Sequence, residues 1–309
     1  MKKVLITGKD GLVGSSLLRL SNQYSKTFEF VFVGRNDYDL ENCDDVKKLF
    51  NDHKPNYVIN CAASVGGINL NITKPVDQFY KNVILNTLIT QQCVENNVEK
   101  FINFSSICAF PSIDTALIED DLQKFEPFSP HYSYGFSKRI SDIQIKIIRD
   151  FNNLQYTSLI PVNIFGINDK YNIEYGHVIP SLIHKFSVNS KNNTPVEIFG
   201  DGTPKREFIF SDDLSKICFE LLLLPKVPQR IIVSDCEEIS IKEIVDKLSK
   251  IYDYYNINYN TNKPNGQLRR PTNNSLLRTL LPNFKFSQFD ASLELCTEWF
   301  EKNYKSIRK

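Results

Sequence analysis

Short apolar runs bounded by turn residues recur through the first half of the chain: Val4-Leu5-Ile6, Glu29 to Val33, Tyr57 to Asn60, Phe101 to Ser105 and Tyr156 to Pro161. Their length and continuous apolarity predict strands buried on both faces. Between them, apolar residues recur at helical spacing from Ser15 to about Lys26, Asp44 to His53, Val76 to Glu99 and Ser137 to Phe151. Parallel neighbours need crossover connections, so this alternation predicts a doubly wound parallel sheet of the Rossmann type.

After Pro161 the alternation breaks down into Asn-rich and Pro-containing segments. Strand candidates remain at Val196 to Phe199 and Ile231 to Ser234, and helical patterns at Asp212 to Leu224, Ile241 to Tyr255 and Ala291 to Tyr304. The expected organisation is a first region over residues 1–162 and a smaller α/β region over 163–309, with segments near 208–235 rejoining the first.

At 309 residues, 41% hydrophobic and 24% charged, the chain has the composition of an ordinary globular protein. With 37 basic against 36 acidic side chains, no net field draws it to nucleic acid or to an anionic membrane. Seven cysteines, odd in number and without a CxxC pair, argue against a disulfide framework or a zinc site and for a reducing cytoplasm. The apolar stretch of MKKVLITGKDG is too short for a signal-peptide core, and no run approaches a membrane span.

Gly8, Gly11 and Gly14 lie between the first strand and the first helix. Missing side chains there let backbone amides approach a pyrophosphate at the helix N-terminus, which predicts dinucleotide binding. The G-x-x-G-x-x-G spacing resembles the variant of the extended short-chain dehydrogenase/reductase superfamily. Where an NAD-binder would place an acid on the ribose, the second strand ends in Val33-Gly34-Arg35. Arg35 suits a 2′-phosphate, so NADP is expected over NAD, although Asp37 lies close by.

Tyr134 and Lys138 stand four residues apart in a helical pattern and project from one face. An adjacent ammonium, together with an oxidised nicotinamide, would lower the phenol from its ordinary value of about 10, making Tyr134 a proton donor to a carbonyl oxygen. Ser106, just past the fourth strand, would hydrogen-bond the same oxygen. Cys108 lies two residues further, at the carboxyl end of a parallel strand where ligands of such sheets bind. A thiolate there can remove a proton alpha to a ketone. His177 could serve as the acid on the other face, although the residues alone favour a solvated loop histidine.

Several stretches together are similar to the GDP-L-fucose synthase family: Thr7 to Ser15, Ala62-Ala63-Ser64-Val65-Gly66-Gly67-Ile68, Ser106 to Pro111, Tyr134 to Arg139, and Asn172 to Pro180. The resemblance runs end to end. It implies a homodimeric NADPH-dependent 3,5-epimerase/4-reductase acting on the nucleotide sugar GDP-4-keto-6-deoxy-D-mannose, with an NADP-binding domain at 1–162 and a substrate domain at 163–309. By this resemblance Ser106, Tyr134 and Lys138 form the reductase triad, Cys108 is the epimerisation base and His177 the acid. Gly8, Gly11, Leu12, Val13, Gly14, Arg35, Ala62, Ala63, Asn82 and Lys138 would hold the cofactor. Asn163, Lys185, Phe199 and Arg206 would hold the substrate, the two cations near its phosphates. The dimer would form through the helices near Val76 to Glu99 and Ser137 to Phe151.

Two departures bear on the substrate. Phe199 stands where members commonly carry tryptophan, and Ile167-Asn168 replaces a Pro-His pair. They leave open a UDP- or dTDP-linked 4-keto-6-deoxyhexose, with or without an acetamido group. A dehydratase is disfavoured because Ile107-Cys108 stands where such enzymes carry an acid pair, and a non-catalytic NADP-binding sensor because Tyr134 and Lys138 are both present.

Overall fold

A computed structural model describes residues 1–152, 154–263 and 265–308. Pro264 and Lys309, which fall in the expected second region, lie outside the described residues. The first half runs β1 (Lys2–Thr7), α1 (Leu12–Leu20), β2 (Phe28–Val33), α2 (Cys43–His53), β3 (Tyr57–Asn60), α3 (Ile68–Thr73), α4 (Pro75–Glu95), β4 (Lys100–Phe104), α5 (Tyr132–Asn152) and β5 (Gln155–Pro161). The second runs β6 (Asn163–Phe165), α6 (Val178–Asn192), β7 (Val196–Phe199), β8 (Lys205–Phe210), α7 (Ser211–Leu223), β9 (Arg230–Val233), β10 (Glu238–Ser240), α8 (Ile241–Tyr252), β11 (Ile257–Asn260), α9 (Ser275–Leu280) and α10 (Phe289–Asn303).

Six parallel strands form the main sheet in the order β2-β1-β3-β4-β5-β9, so the expected doubly wound sheet is present and β9 rejoins it. Alternate residues of β1 serve opposite faces. Val4 and Ile6 join a core with α1 and α7, whereas Leu5 joins one with α2, α4 and α5. The chain leaves β1 in one direction for β2 and in the other for β3, and the carboxyl ends beside that reversal are where such sheets bind ligands.

The remaining elements build a second core. β8 pairs with β6 in parallel and β10 antiparallel, and β7 pairs with β11. Phe165, Phe208 and Phe210 pack there against α6, α8 and α10. No helix among the described residues is long and apolar enough to cross a membrane.

Two departures from the periodicity matter for the site. Helix α6 was not signalled, because its N-cap, His177, makes no side-chain cap and Pro180 sits in the first turn. There the missing N–H is harmless, since first-turn donors lack helical acceptors in any case. Helix α5 starts at Tyr132, five residues before the expected Ser137, so Tyr134 and Lys138 are both helical.

Candidate active site

The carboxyl ends of β1, β3 and β4 are locked by a buried polar ladder. The Thr7 hydroxyl donates to Asn60 Oδ1 at 2.6 Å, and the Asn60 amide donates to Asn103 at 2.9 Å and to Asn86 of α4 at 3.0 Å. Asn86 in turn donates to the carbonyl of Asn82 at 2.6 Å. Asn82 grips one residue by both amide edges, accepting from Ser64 N at 3.0 Å and donating to Ser64 O at 2.9 Å. Its side chain thereby holds the loop carrying Ala62 and Ala63.

Gly8 adopts φ +71°, and a Cβ there would meet Ala62 N at 2.9 Å. At Gly14 a Cβ would lie 2.1 Å from the Gly8 carbonyl oxygen. Both positions therefore demand glycine. Among the described residues, no main-chain or side-chain acceptor meets the N–H groups of Leu12, Val13 and Gly14, which open helix α1 behind its N-cap Gly11. Three free amides at the positive end of a nine-residue helix fit a pyrophosphate.

Asp37 competes less for the adjoining ribose than its position suggests. Its Oδ2 pairs with Lys9 Nζ at 2.5 Å and accepts from Gly34 N at 2.8 Å, and Lys9 holds the carboxyl below the usual carboxylate range. Arg35 is exposed beside it.

At the end of β4, Ser106 caps a single 3-10 turn, its hydroxyl accepting from Cys108 N at 3.1 Å. Helix α5 lies close against this turn. A Cβ at Gly135 would come within 3.0 Å of the Cys108 carbonyl oxygen, so the glycine allows the approach. The Ser106 hydroxyl acts on both the Tyr134 phenol and the Cys108 thiol, lowering each. Buried Lys138 donates to the Phe104 carbonyl at 2.9 Å, with its Nζ 5.7 Å from the Tyr134 ring centroid. The sequence motif thus becomes one cluster of Ser106, Cys108, Tyr134 and Lys138.

Its electrostatics differ in one respect from expectation. Burial, reinforced by the negative charge of Cys108, pushes the Tyr134 phenol up instead of Lys138 bringing it down. The phenol keeps its proton at neutral pH, which suits a donor. Burial brings the Lys138 ammonium down to about 8. Burial alone would raise the Cys108 thiol, but His131, Arg270 and the Ser106 hydroxyl outweigh it and bring it to about 6. Cys93, Cys218 and Cys296, in apolar cores, are pushed up. All seven cysteines are free.

His177 is exposed at the start of α6 and belongs to the same region only indirectly. Its charge acts on buried Asp169, whose Oδ2 has no hydrogen-bond partner. The loop before it meets the Ala62 to Ile68 stretch, Gly67 N donating to Tyr175 O at 2.8 Å. Among the described residues no hydrogen bond or ion pair joins His177 to Cys108 or Tyr134.

From the second core, Asn163 donates to the Glu207 carbonyl at 2.8 Å. Lys185 donates to the Glu197 carbonyl at 2.9 Å and stands 4.7 Å above the half-exposed Phe199 ring, which Lys263 also approaches at 5.6 Å. Burial and the neighbouring Arg270 bring Arg206 down to about 10. Both guanidiniums also sense Cys108, so they extend the cluster as a cationic site suited to phosphate oxygens. His131, Arg270, Asp169 and Lys263 escaped the sequence reading. His131 had one local signal, lying three residues before Tyr134; the others reach the site only through folding.

The profile of the NAD dependent epimerase/dehydratase family matches residues 4–233. A probable GDP-L-fucose synthase of Drosophila melanogaster is 33% identical over all of both chains. A GDP-L-fucose synthase of Dictyostelium discoideum is 32% identical, covering this chain fully and 98% of its own length. A crystal structure of a GDP-L-fucose synthetase from Naegleria fowleri bound to NADP superposes with TM-score 0.93 at 30% identity, over 100% of this chain and 95% of that one. Glycine loop, Ser-Tyr-Lys cluster and end-to-end similarity agree: the chain belongs to the GDP-L-fucose synthase family, within the NAD dependent epimerase/dehydratase family.

Proposed function

We propose that this site converts GDP-4-keto-6-deoxy-D-mannose to GDP-L-fucose by epimerising C3 and C5 and then reducing C4. The observation that carries the reading is the cluster at the end of β4 of an acidified thiol, a hydroxyl and a protonated phenol, flanked by two guanidiniums. A lone reductase needs the serine, tyrosine and lysine, but has no use for a thiolate beside them.

The free amides of Leu12, Val13 and Gly14 would hold the cofactor pyrophosphate, Arg35 the 2′-phosphate, and Ala62 and Ala63 the adenosine side. When bound, NADPH supplies the hydride for C4. The C4 ketone acidifies the hydrogens at C3 and C5, because the carbanion is delocalised onto oxygen. Cys108 removes each proton, and His177, whose charge acts on Asp169, returns one from the opposite face. Tyr134 protonates the C4 oxygen, with Ser106 bonded to it and Lys138 orienting the phenol. Arg206 and Lys185 bind the diphosphate, Phe199 stacks on the base, and Asn163 contacts the sugar. In this reading residues 1–162 with the returning β9 form the cofactor half and 163–309 the substrate half.

The exposed apolar side chains Val76, Tyr80 and Ile84 of α4 and Ile143, Ile147 and Phe151 of α5 support a homodimer through these helices. Seven free thiols fit a cytoplasmic protein.

Incubation with NADPH and GDP-, UDP- and dTDP-4-keto-6-deoxyhexoses, followed by product identification, tests the substrate. The expected product is GDP-L-fucose; turnover of only the UDP or dTDP sugars overturns the assignment. In Cys108→Ser, solvent deuterium should no longer enter at C3 and C5. Incorporation at the parent rate would remove Cys108 as the base.

A further inference from the structure

A buried carboxylate outside the catalytic cluster joins three parts of the chain. Glu207, in β8, is 2% exposed, and among the described residues no cation pairs with it, whereas buried Asp142 is paired with Arg230. Its partners are neutral donors. Oε1 accepts from Thr272 N at 2.7 Å, and Oε2 accepts from the Thr272 hydroxyl and, at 2.6 Å, from the Ser234 hydroxyl. Ser234 follows β9 of the main sheet, and Thr272 ends a strap, residues 265–272, that lies against the start of β8. Lys205 N donates there to the Leu268 carbonyl at 2.8 Å. From the first half of the chain, Leu117 N donates to the Pro271 carbonyl and the Leu117 carbonyl accepts from Asn273 N, both at 2.9 Å. Thr272 is therefore pinned from both halves of the molecule.

The strap brings a second guanidinium to Arg206. A Cβ at Gly266 would lie 3.8 Å from Arg206 Nη2, and Arg206 Nη1 reaches the Leu268 carbonyl at 3.5 Å. Of the strap's adjacent arginines, Arg269 pairs with Glu238, but Arg270 meets neutral Gln267, its Nε and Nη2 donating to Oε1 at 3.0 and 2.6 Å. Arg206 likewise donates to main-chain carbonyls. Among the described residues neither Arg206 nor Arg270 forms an ion pair with a carboxylate, so both charges are available to an anion. Beside burial, the charge of Arg270 lowers Arg206, as two like charges held close must do. Such a pair disperses unless the backbone beneath it is fixed. Glu207 and Thr272 supply that fixing point, one residue from Arg206 and two from Arg270.

We infer that Glu207 is a positioning residue for the substrate's diphosphate, which through Thr272 fixes the strap and so holds Arg270 beside Arg206. The inference deepens the reading of this cationic pair as the diphosphate site and rests on it. A carboxylate can accept all the bonds offered by Thr272 and Ser234, and charge-assisted bonds are the stronger kind. A strap ordered beforehand loses less freedom when the anion binds, which raises affinity without a new contact.

The test is titration calorimetry of the full chain with GDP and with UDP in the presence of NADP, the tighter binder serving as the probe. Thr272→Val removes the hydroxyl and keeps the volume, and Glu207→Gln keeps the shape and removes the charge. Each should weaken diphosphate binding about tenfold, the scale of one charge-assisted bond. KM for the 4-keto sugar nucleotide should rise more than kcat falls, and NADPH affinity should stay at the parent value. Thr272→Ser, which restores the hydroxyl, should bind the probe within about twofold of the parent. Arg270→Ala should also bind about tenfold more weakly, and adding Thr272→Val to it should bring no further loss, because the threonine acts through the arginine. A residue that merely supported the fold would weaken both backgrounds alike. Unchanged diphosphate binding in either folded variant, Thr272→Val or Glu207→Gln, or an equal loss on top of Arg270→Ala, overturns the inference. Failure of the underlying reading looks different: unchanged binding in Arg270→Ala itself would remove that arginine from the diphosphate site, and the inference with it.

Discussion

Lys138 Nζ and the Phe104 carbonyl oxygen, 2.9 Å apart in the interior, tie helix α5 to the end of strand β4. The bond sets the height of Tyr134 relative to Ser106, since the lysine is one helical turn from the tyrosine and Phe104 is two residues from the serine. Lys138→Met should lower the rate of C4 reduction by about a hundredfold or more, at the scale of losing a positioned acid–base group. Burial depresses this ammonium to about 8, so reduction should fall as pH rises through that value. The unfolded chain holds the same proton to about 10.4. Between these values the unfolded state binds more protons, so this group's contribution to stability rises with pH, and Lys138→Met should flatten that rise. NADPH oxidation and melting temperature measured from pH 7 to 10 in both proteins check the two statements.

Gly14→Ala should abolish NADPH binding. The new Cβ would lie 2.1 Å from the Gly8 carbonyl oxygen and 2.8 Å from Lys9 Cα, both backbone atoms that cannot rotate aside. The glycine loop must then move and misalign the amides of Leu12 and Val13. Quenching of protein fluorescence on NADPH titration is the simplest readout, and an unchanged Kd would show that the amides are not the anchor.

Arg35→Ala should raise KM for NADPH about tenfold and leave NADH use nearly unchanged, because one charge-assisted contact contributes roughly 1.5–3 kcal/mol. Lys9→Ala should act in the opposite sense on NADH. It releases Asp37, now paired with Lys9 at 2.5 Å, to bond a ribose hydroxyl. Steady-state kinetics with both nucleotides decide the matter. A KM for NADPH within twofold of the parent in Arg35→Ala would remove the role of that residue.

Asn60→Ala should cost about 3 kcal/mol, because it strands the amide groups of Asn86 and Asn103 and the Thr7 hydroxyl in a dry interior. Cofactor binding should weaken as well, since the ladder continues through Asn86 to Asn82 and the Ser64 backbone. Urea denaturation gives the first quantity and NADPH titration the second. A loss below 1 kcal/mol would mean that the ladder relaxes or takes up water.

The sequence by itself determined the main sheet and the parts of the site that are local in the chain. Strands buried on both faces write themselves as short apolar runs, and the glycine loop, the Ser106-Ile107-Cys108 turn and the Tyr134/Lys138 pair each lie within one stretch. Helix α6 and strands β6, β8, β10 and β11 carried no such period. They are short, or open without a capping signal, and owe their form to packing around Phe165, Phe208 and Phe210.

Only the tertiary structure decided how the stretches meet. It brought Arg206, Arg270 and His131 toward Cys108, occupied Asp37 with Lys9, and turned Asn82 onto the Ser64 backbone. The physical reason is range. Strand and helix periods arise from neighbours a few residues apart, whereas ionisation states depend on burial and on charges brought within a few ångströms by folding. A cysteine reads the same in any sequence; two groups distant along the chain, His131 and Arg270, together with neighbouring Ser106, make this one acidic.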